Sequence, residues 1–169
     1  MTRRLVLSNS FILFCNFIFA QSVPYSHEKT DRIVWKIDSL FAVQHKSFIL
    51  KKNTSSGKYI TEKWSYLKDH NSLLYFKISY TIDSTDYEEE YYLDKGDLIY
   101  ATEKEVTRML SNNPVDSFGW AGNYYFAKNK LLDHITFGHG KSEIEPWDPE
   151  RDTLLRYSKR RYRRHELAN

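Results

Sequence analysis

Glu88-Glu89-Glu90 is the densest run of side chains able to do acid–base chemistry in this chain. Paired carboxylates can protonate a leaving group and activate water, as glycoside hydrolysis requires. Strand alternation sends Glu88 and Glu90 to one side and Glu89, with Tyr87 and Tyr91, to the other. Nothing beside them marks a tuned pair, and acid-rich strands also resist aggregation. Hydrolysis at Glu88 or Glu90 is therefore the alternative reading, not the leading one. His134 and His139 lack a third ligand at useful spacing, so no metal site is expected. The chain has no glycine-framed nucleophile, HExxH, P-loop or dinucleotide motif. No catalytic residue and no cofactor are expected.

The second chemical feature is cationic. Arg156, Lys159, Arg160, Arg163 and Arg164 recur at helical spacing and share one face, with Leu154, Leu155, Ser158 and Tyr162 opposite. From Glu150 to Asn169 seven Lys/Arg face three Asp/Glu, a local charge of +4. Such a face suits anionic lipid headgroups, an anionic glycan or an acidic protein surface. The plainer reading is the weightier: a docked helix with a solvated face, paired with Glu88-Glu89-Glu90. Trp64, Trp120, Tyr124, Tyr125 and Phe126 could line a groove for sugar or peptide, but such residues more often build a core. A cleft between sheet and helix would suit a carrier of an apolar ligand, a third reading.

Composition says what must position these groups. With 13 Tyr, 10 Phe and 4 Trp against 6 Gly and 4 Pro, the chain favours a sheet with covered aromatics. Residues Glu28 to about Leu50 read as a helix: Ile33, Ile37, Leu40, Phe41 and Phe48 fall on one face, with Val34 and Trp35 widening it. From Lys58 the period becomes two. Ile60, Trp64 and Tyr66 share a side, and Leu74, Phe76, Ile78, Tyr80 and Ile82 alternate with Lys77, Ser79 and Thr81. Asp148, Pro149 and Glu150 open a closing helix that runs to about Glu166, with an N-cap, a first-turn proline and an early acid.

Tyr91-Tyr92-Leu93-Asp94-Lys95-Gly96-Asp97-Leu98-Ile99 aligns without a gap on Tyr124-Tyr125-Phe126-Ala127-Lys128-Asn129-Lys130-Leu131-Leu132. Each reads as a strand end, a tight turn and a strand start, with Gly96 and Asn129 where positive φ is needed. Tyr66-Leu67 to Leu73-Leu74 is a looser copy. The expectation is an α+β domain: an N-terminal helix, an antiparallel meander of about six strands in three hairpins, and a basic C-terminal helix. Both helices are expected on one sheet face. The Tyr-Tyr-x-x-x-Gly-x-Leu pattern resembles hairpin units of uncharacterised exported bacterial proteins and MORN-like repeats. It covers only the two hairpin cores, and the second copy departs from it at Asn129. The resemblance implies a turn and carries no active site.

The first twenty residues bear on compartment. Arg3 and Arg4 precede an apolar run, densest from Phe11 to Phe19, and Ala20 gives way to Gln21-Ser22. That order reads as a secretory signal peptide, 1–20, followed by a single domain, 21–169. The run is interrupted by Ser8, Asn9, Ser10 and Asn16, so no transmembrane segment is expected once it is removed. The only cysteine, Cys15, lies inside it, which leaves the domain without a disulfide or a thiolate. Without Arg3 and Arg4 the chain has 23 basic and 22 acidic residues, a net of +1, which excludes a globally basic nucleic-acid binder. Export makes nucleic acid a poor partner in any case. The expectation is a periplasmic or extracellular, non-catalytic binding module of the cell envelope, its partner an envelope protein or an anionic lipid or glycan surface.

Overall fold

The computed structural model describes residues 27–53, 57, 59–109, 117–143 and 146–167, with side chains as far as Arg160 in the last segment. The leader expected over 1–20 lies outside the described residues. Helix α1 spans His27–Gln44, and seven strands follow: β1 Lys46–Asn53, β2 Tyr59–Asp69, β3 Ser72–Ile82, β4 Thr85–Asp94, β5 Asp97–Arg108, β6 Ser117–Ala127 and β7 Lys130–Gly138. A single 3-10 turn, Lys141–Glu143, precedes helix α2, Pro149–Leu167. The strands pair in chain order, each antiparallel to the next, as one seven-stranded meander.

The hairpin turns form where the sequence demands positive φ. Lys95 and Gly96 lie at φ 53° and 89°, and Lys128 and Asn129 at 50° and 61°. Two successive positive φ values match the right-handed twist of the flanking strands. The β2–β3 turn uses His70 at φ 52°, and the β3–β4 turn uses Asp83 at 51°. Helix α2 is capped as expected: Arg151 N–H donates to Asp148 Oδ1 at 2.9 Å, and Asp148 N–H donates back to Asp152 Oδ2 at 3.2 Å.

Three expectations are corrected. The first helix stops at Gln44 instead of Leu50, and the residues beyond it form β1, which raises the strand count to seven. Phe48 lies seven residues after Phe41, so it satisfied the helical period. In the structure Phe48 and Leu50 alternate along a strand, and Phe48 stacks 5.7 Å from Trp64. Trp35 does not widen the buried face of α1, since it is 73 % exposed. The helices also cover opposite faces of the sheet. Helix α1 packs Ile37, with Ile33, Val34, Leu40 and Phe41 beside it, on Leu67, Tyr75 and Tyr92. Helix α2 packs Tyr157 and Leu154 on Trp64, Phe76, Tyr91, Trp120 and Tyr124. Alternation exposes two apolar rows, and a sheet with two apolar faces needs a cover on each.

The main core lies on the α2 side, and Gly122 is part of its design. A Cβ there would meet Tyr124 Oη at 2.5 Å and Trp120 at 3.0 Å, both rings being fully buried. The aromatic rings close over the space a side chain would need. Gly122→Ala is therefore expected to destabilise the fold by about 1–3 kcal/mol through overpacking. Urea unfolding of the two proteins measures this; equal midpoints would show that Tyr124 yields freely.

Candidate functional site

On the α2 side, acidic residues occupy positions that alternation assigns to the core. Trp64, Ile78, Glu89, Glu103 and Gly122 are successive cross-strand partners. Glu89 and Glu103 thus stand directly opposite each other, an arrangement that destabilises a sheet unless cations intervene. Glu62, Glu89 and Glu103 are only 2–4 % exposed. Arg160 grips Glu89 with two bonds, Nη2 to Oε1 at 2.9 Å and Nε to Oε2 at 3.2 Å, while its Nη1 reaches Glu62 Oε1 at 2.8 Å. Tyr80, Tyr91 and Trp64 complete the shell, donating to Glu89 Oε1, Glu89 Oε2 and Glu62 Oε2 at 2.9, 3.0 and 3.0 Å. Burial pushes the Glu89 carboxyl up, but the Arg160 guanidinium and the tyrosine hydroxyls outweigh it and hold it below its ordinary value.

One helical turn earlier the match is looser. Arg156 Nη2 comes within 2.7 Å of Glu103 Oε2 but off the hydrogen-bond axis, so Arg156 Nε and Nη2 and Glu103 Oε1 are buried without a hydrogen-bond partner among the described residues. Lys141, which lies over the Trp120 ring, donates to Glu103 Oε2 at 3.2 Å and pairs with Glu105. Burial raises the Glu103 carboxyl, and the Lys141 and Arg156 charges offset it only in part.

The cationic face read from helical spacing is therefore split. Arg156 and Arg160 turn onto the sheet and bind its carboxylates, Lys159 is exposed, and the side chains of Arg163 and Arg164 lie outside the described residues. The docked face of α2 is Thr153, Arg156, Tyr157 and Arg160, not Leu155, which is 49 % exposed. Trp64, Trp120, Tyr124, Tyr125 and Phe126 are buried. His134 packs against Trp147, and His139 bonds Glu143 Oε1 at 2.7 Å.

The α1 side carries a broad concavity. Beneath α1, Tyr75, Tyr92, Tyr100 and Tyr125 are consecutive cross-strand partners with rings 4.7–5.5 Å apart. Helix α1 pins this ladder through Asp38, which accepts from Tyr92 at 2.9 Å, and Asp31, which accepts from Tyr125 at 3.1 Å. Burial raises the Asp38 carboxyl despite the Tyr92 bond. The space under α1 is thus filled by side chains. Beyond its cover an open groove of about 670 Å³ runs over β2–β5, lined among others by Tyr59, Thr61, Lys63, Ser79, Glu88 and Lys104.

Charge in this groove is unevenly satisfied. Glu88 shares Lys77 with Glu90, Nζ lying 2.8 and 3.0 Å from the two carboxylates. Burial lowers the Lys77 ammonium, but its bonds to Glu88 and Glu90 win and raise it. Asp86 is bound by Thr81 at 2.8 Å and by Arg108, which hold it below its ordinary value. Lys63 and Lys104 are exposed, and neither has a carboxylate partner among the described residues. They lie on one cross-strand row, Lys63–Ser79–Glu88–Lys104, about 14 Å apart at the usual strand spacing. Sequence reasoning passed over both lysines because nothing local distinguishes them. Glu62 and Glu103 did leave a signal, an acid at an apolar position of a strand's alternation.

No protein-family model, curated protein or solved structure matches the chain. Among the described residues no group of three His, Cys, Asp or Glu is placed to hold a metal, and no helix is long and apolar enough to cross a membrane.

Arg160 supplies a test. Arg160→Met leaves Glu89 buried without its cation and Glu62 with only Lys52 Nζ at 3.9 Å, a loss of about 3–5 kcal/mol. Adding Glu62→Leu and Glu89→Leu should recover part of it, and denaturant titration checks both. The lowered Glu89 value gives a sign for pH. Its contribution is fully present above the ordinary 4.5 and is lost as pH falls through the folded value. Stability should therefore decline on acidification below about pH 4.5, less steeply in Glu89→Gln.

Proposed function

We propose that the protein is an exported, non-catalytic binding module of the cell envelope, and that its ligand is an anionic glycan held in the groove beside α1. The carrying observation is the uncompensated charge. Both carboxylates of the groove are already engaged, while Lys63 and Lys104 face solvent without a carboxylate partner among the described residues. The positive excess of this surface is thus larger than its composition implies. Thr61 and Ser79 add hydroxyls, and Tyr59, 76 % exposed, offers a ring at the rim. A floor of this kind suits a hydroxyl-rich anion better than an apolar chain. Export rests on the leader composition, Arg3 and Arg4, the apolar run and Ala20, and calls for a mature chain beginning at Gln21.

Glu88 favours binding over hydrolysis here. An ammonium bridges it to Glu90 in an open groove, which is a poor setting for a proton donor. Arg156 and Arg160, held by sheet carboxylates, are likewise poor candidates for an external anion.

Calorimetry with oligogalacturonate, a carboxylated oligosaccharide, tests the reading. Binding should weaken steeply with salt, as expected for charge-driven contacts, and should be lost in the Lys63→Glu/Lys104→Glu variant. Lys159→Glu, on the opposite side of the sheet, should leave it intact. Binding that ignores salt, or that needs Lys159 but not Lys63 and Lys104, would remove the groove from the account.

A further inference from the structure

Among the described residues the meander has two edges, β1 and β7, and an edge strand presents unpaired backbone donors and acceptors. The two edges here are built differently. Strand β1 carries Lys46, Lys51 and Lys52 in eight residues, the usual protection against pairing with another chain. Strand β7 has nine residues and no proline; its one lysine, Lys130, stands at the first position, and its one acid, Asp133, is already engaged. Asp133 is bound by His27 Nε2 at 3.0 Å, and His134 packs on Trp147. Beside the exposed Lys130, Asp133 and His134 it presents three large apolar side chains to solvent: Leu132 at 39 %, Ile135 at 41 % and Phe137 at 58 %.

These residues are self-complementary about Thr136. Ile135 and Phe137 lie two apart and therefore on one face. They project on the α1 side, because their partners Asn123 and Ala121 alternate with the core residues Trp120 and Tyr124. If two β7 strands run antiparallel with Thr136 opposite its own copy, Ile135 stands opposite Phe137 twice, and Thr136 meets Thr136. Aromatic–β-branched and Thr–Thr pairs are among the favourable cross-strand combinations. In the same register His134 meets Gly138, and Asp133 faces His139 across the axis. No like-charge pair arises. An isologous contact of this kind closes at two subunits and leaves the lysine-bearing β1 edges outermost.

We propose that β7 is a homodimer interface, pairing antiparallel with β7 of a second copy about Thr136. Sedimentation velocity over a concentration series tests this on the purified protein. A monomer–dimer equilibrium is expected. Ile135→Lys/Phe137→Lys should lower the association constant by about tenfold or more, since two apolar pairs are replaced by like charges. Both sites are exposed, so the variant's circular dichroism and unfolding midpoint should match the parent. A second measurement fixes the register. Opposed residues of an antiparallel pair have Cα atoms about 4.5–5.5 Å apart, within disulfide range. Thr136→Cys should cross-link to a dimer under mild oxidation, whereas Ser47→Cys on β1 should not. Where the leader is retained, both carry Cys15→Ser. A monomer at every concentration, open-ended association, a dimer indifferent to the double variant, or cross-linking at Ser47 as readily as at Thr136 would each overturn the proposal.

Discussion

Arg160 carries the interaction on which the α2 half of the molecule depends. Its guanidinium reaches across β3 to join Glu89 of β4 with Glu62 of β2, and its ring-like plane lies 5.5 Å from the Tyr80 centroid. Ionised groups this deep are expensive to desolvate, and a well-packed apolar set would be as stable or more so. What the charges add is position. Apolar stripes let a helix slide or rotate on a sheet, but a bidentate fork does not. The opposed Glu89 and Glu103 leave α2 one registration, with Arg156 over β5 and Arg160 over β4. Movement by one residue would take both arginines off their carboxylates and leave Glu89 buried without a cation.

The two faces of the sheet solve the same covering problem with different chemistry. Under α2 the cover is ionic and aromatic, and spans most of the strands. Under α1 it is a tyrosine row whose hydroxyls are tied off by Asp31 and Asp38. An 18-residue helix is about 27 Å long, and its contacts gather at the hairpin end of the strands, over Leu67, Tyr75 and Tyr92. The far end of that face must then be polar. Most residues there are Lys, Ser, Thr, Glu and Asp, alternating with the α2-side core, with Tyr59 and Val106 at the margins. The groove follows from the short reach of α1 and needs no dedicated loop.

Much of this architecture was legible in the residues. Gly96 and Asn129 marked two turns, Asp148 and Pro149 marked the start of α2, and the two-residue period marked the strands. Strand β1 was hidden because Phe48 fits both a helical spacing from Phe41 and an extended alternation with Leu50, and only pairing with Trp64 decides between them. The orientation of α2 was hidden for a related reason. Helical spacing shows that the arginines share a face but not what that face meets. The answer sat in Glu62, Glu89 and Glu103, three acids in apolar register on three different strands. The groove was least visible of all. Its lysines are 41 residues apart and become neighbours of one surface only through three strand pairings.

The edge and the groove bear on each other through symmetry. A two-fold axis through Thr136, perpendicular to the sheet, keeps the α1 side of both copies facing the same way. Both grooves would then open onto one broad surface, the lysine row of each copy meeting the Ile135–Asn123–Thr102 row of the other, two residues from that copy's own lysine row. For a polymeric ligand the second contact becomes intramolecular, so modest single-site binding gains strength without any new contact, provided the ligand spans the distance. A shallow groove with two free ammonium groups is a weak site by itself, since each exposed charge contributes little in water. Pairing through an edge whose centre is Ile135, Thr136 and Phe137 would be an inexpensive way for such a fold to double it, with the lysines of β1 opposing any further growth.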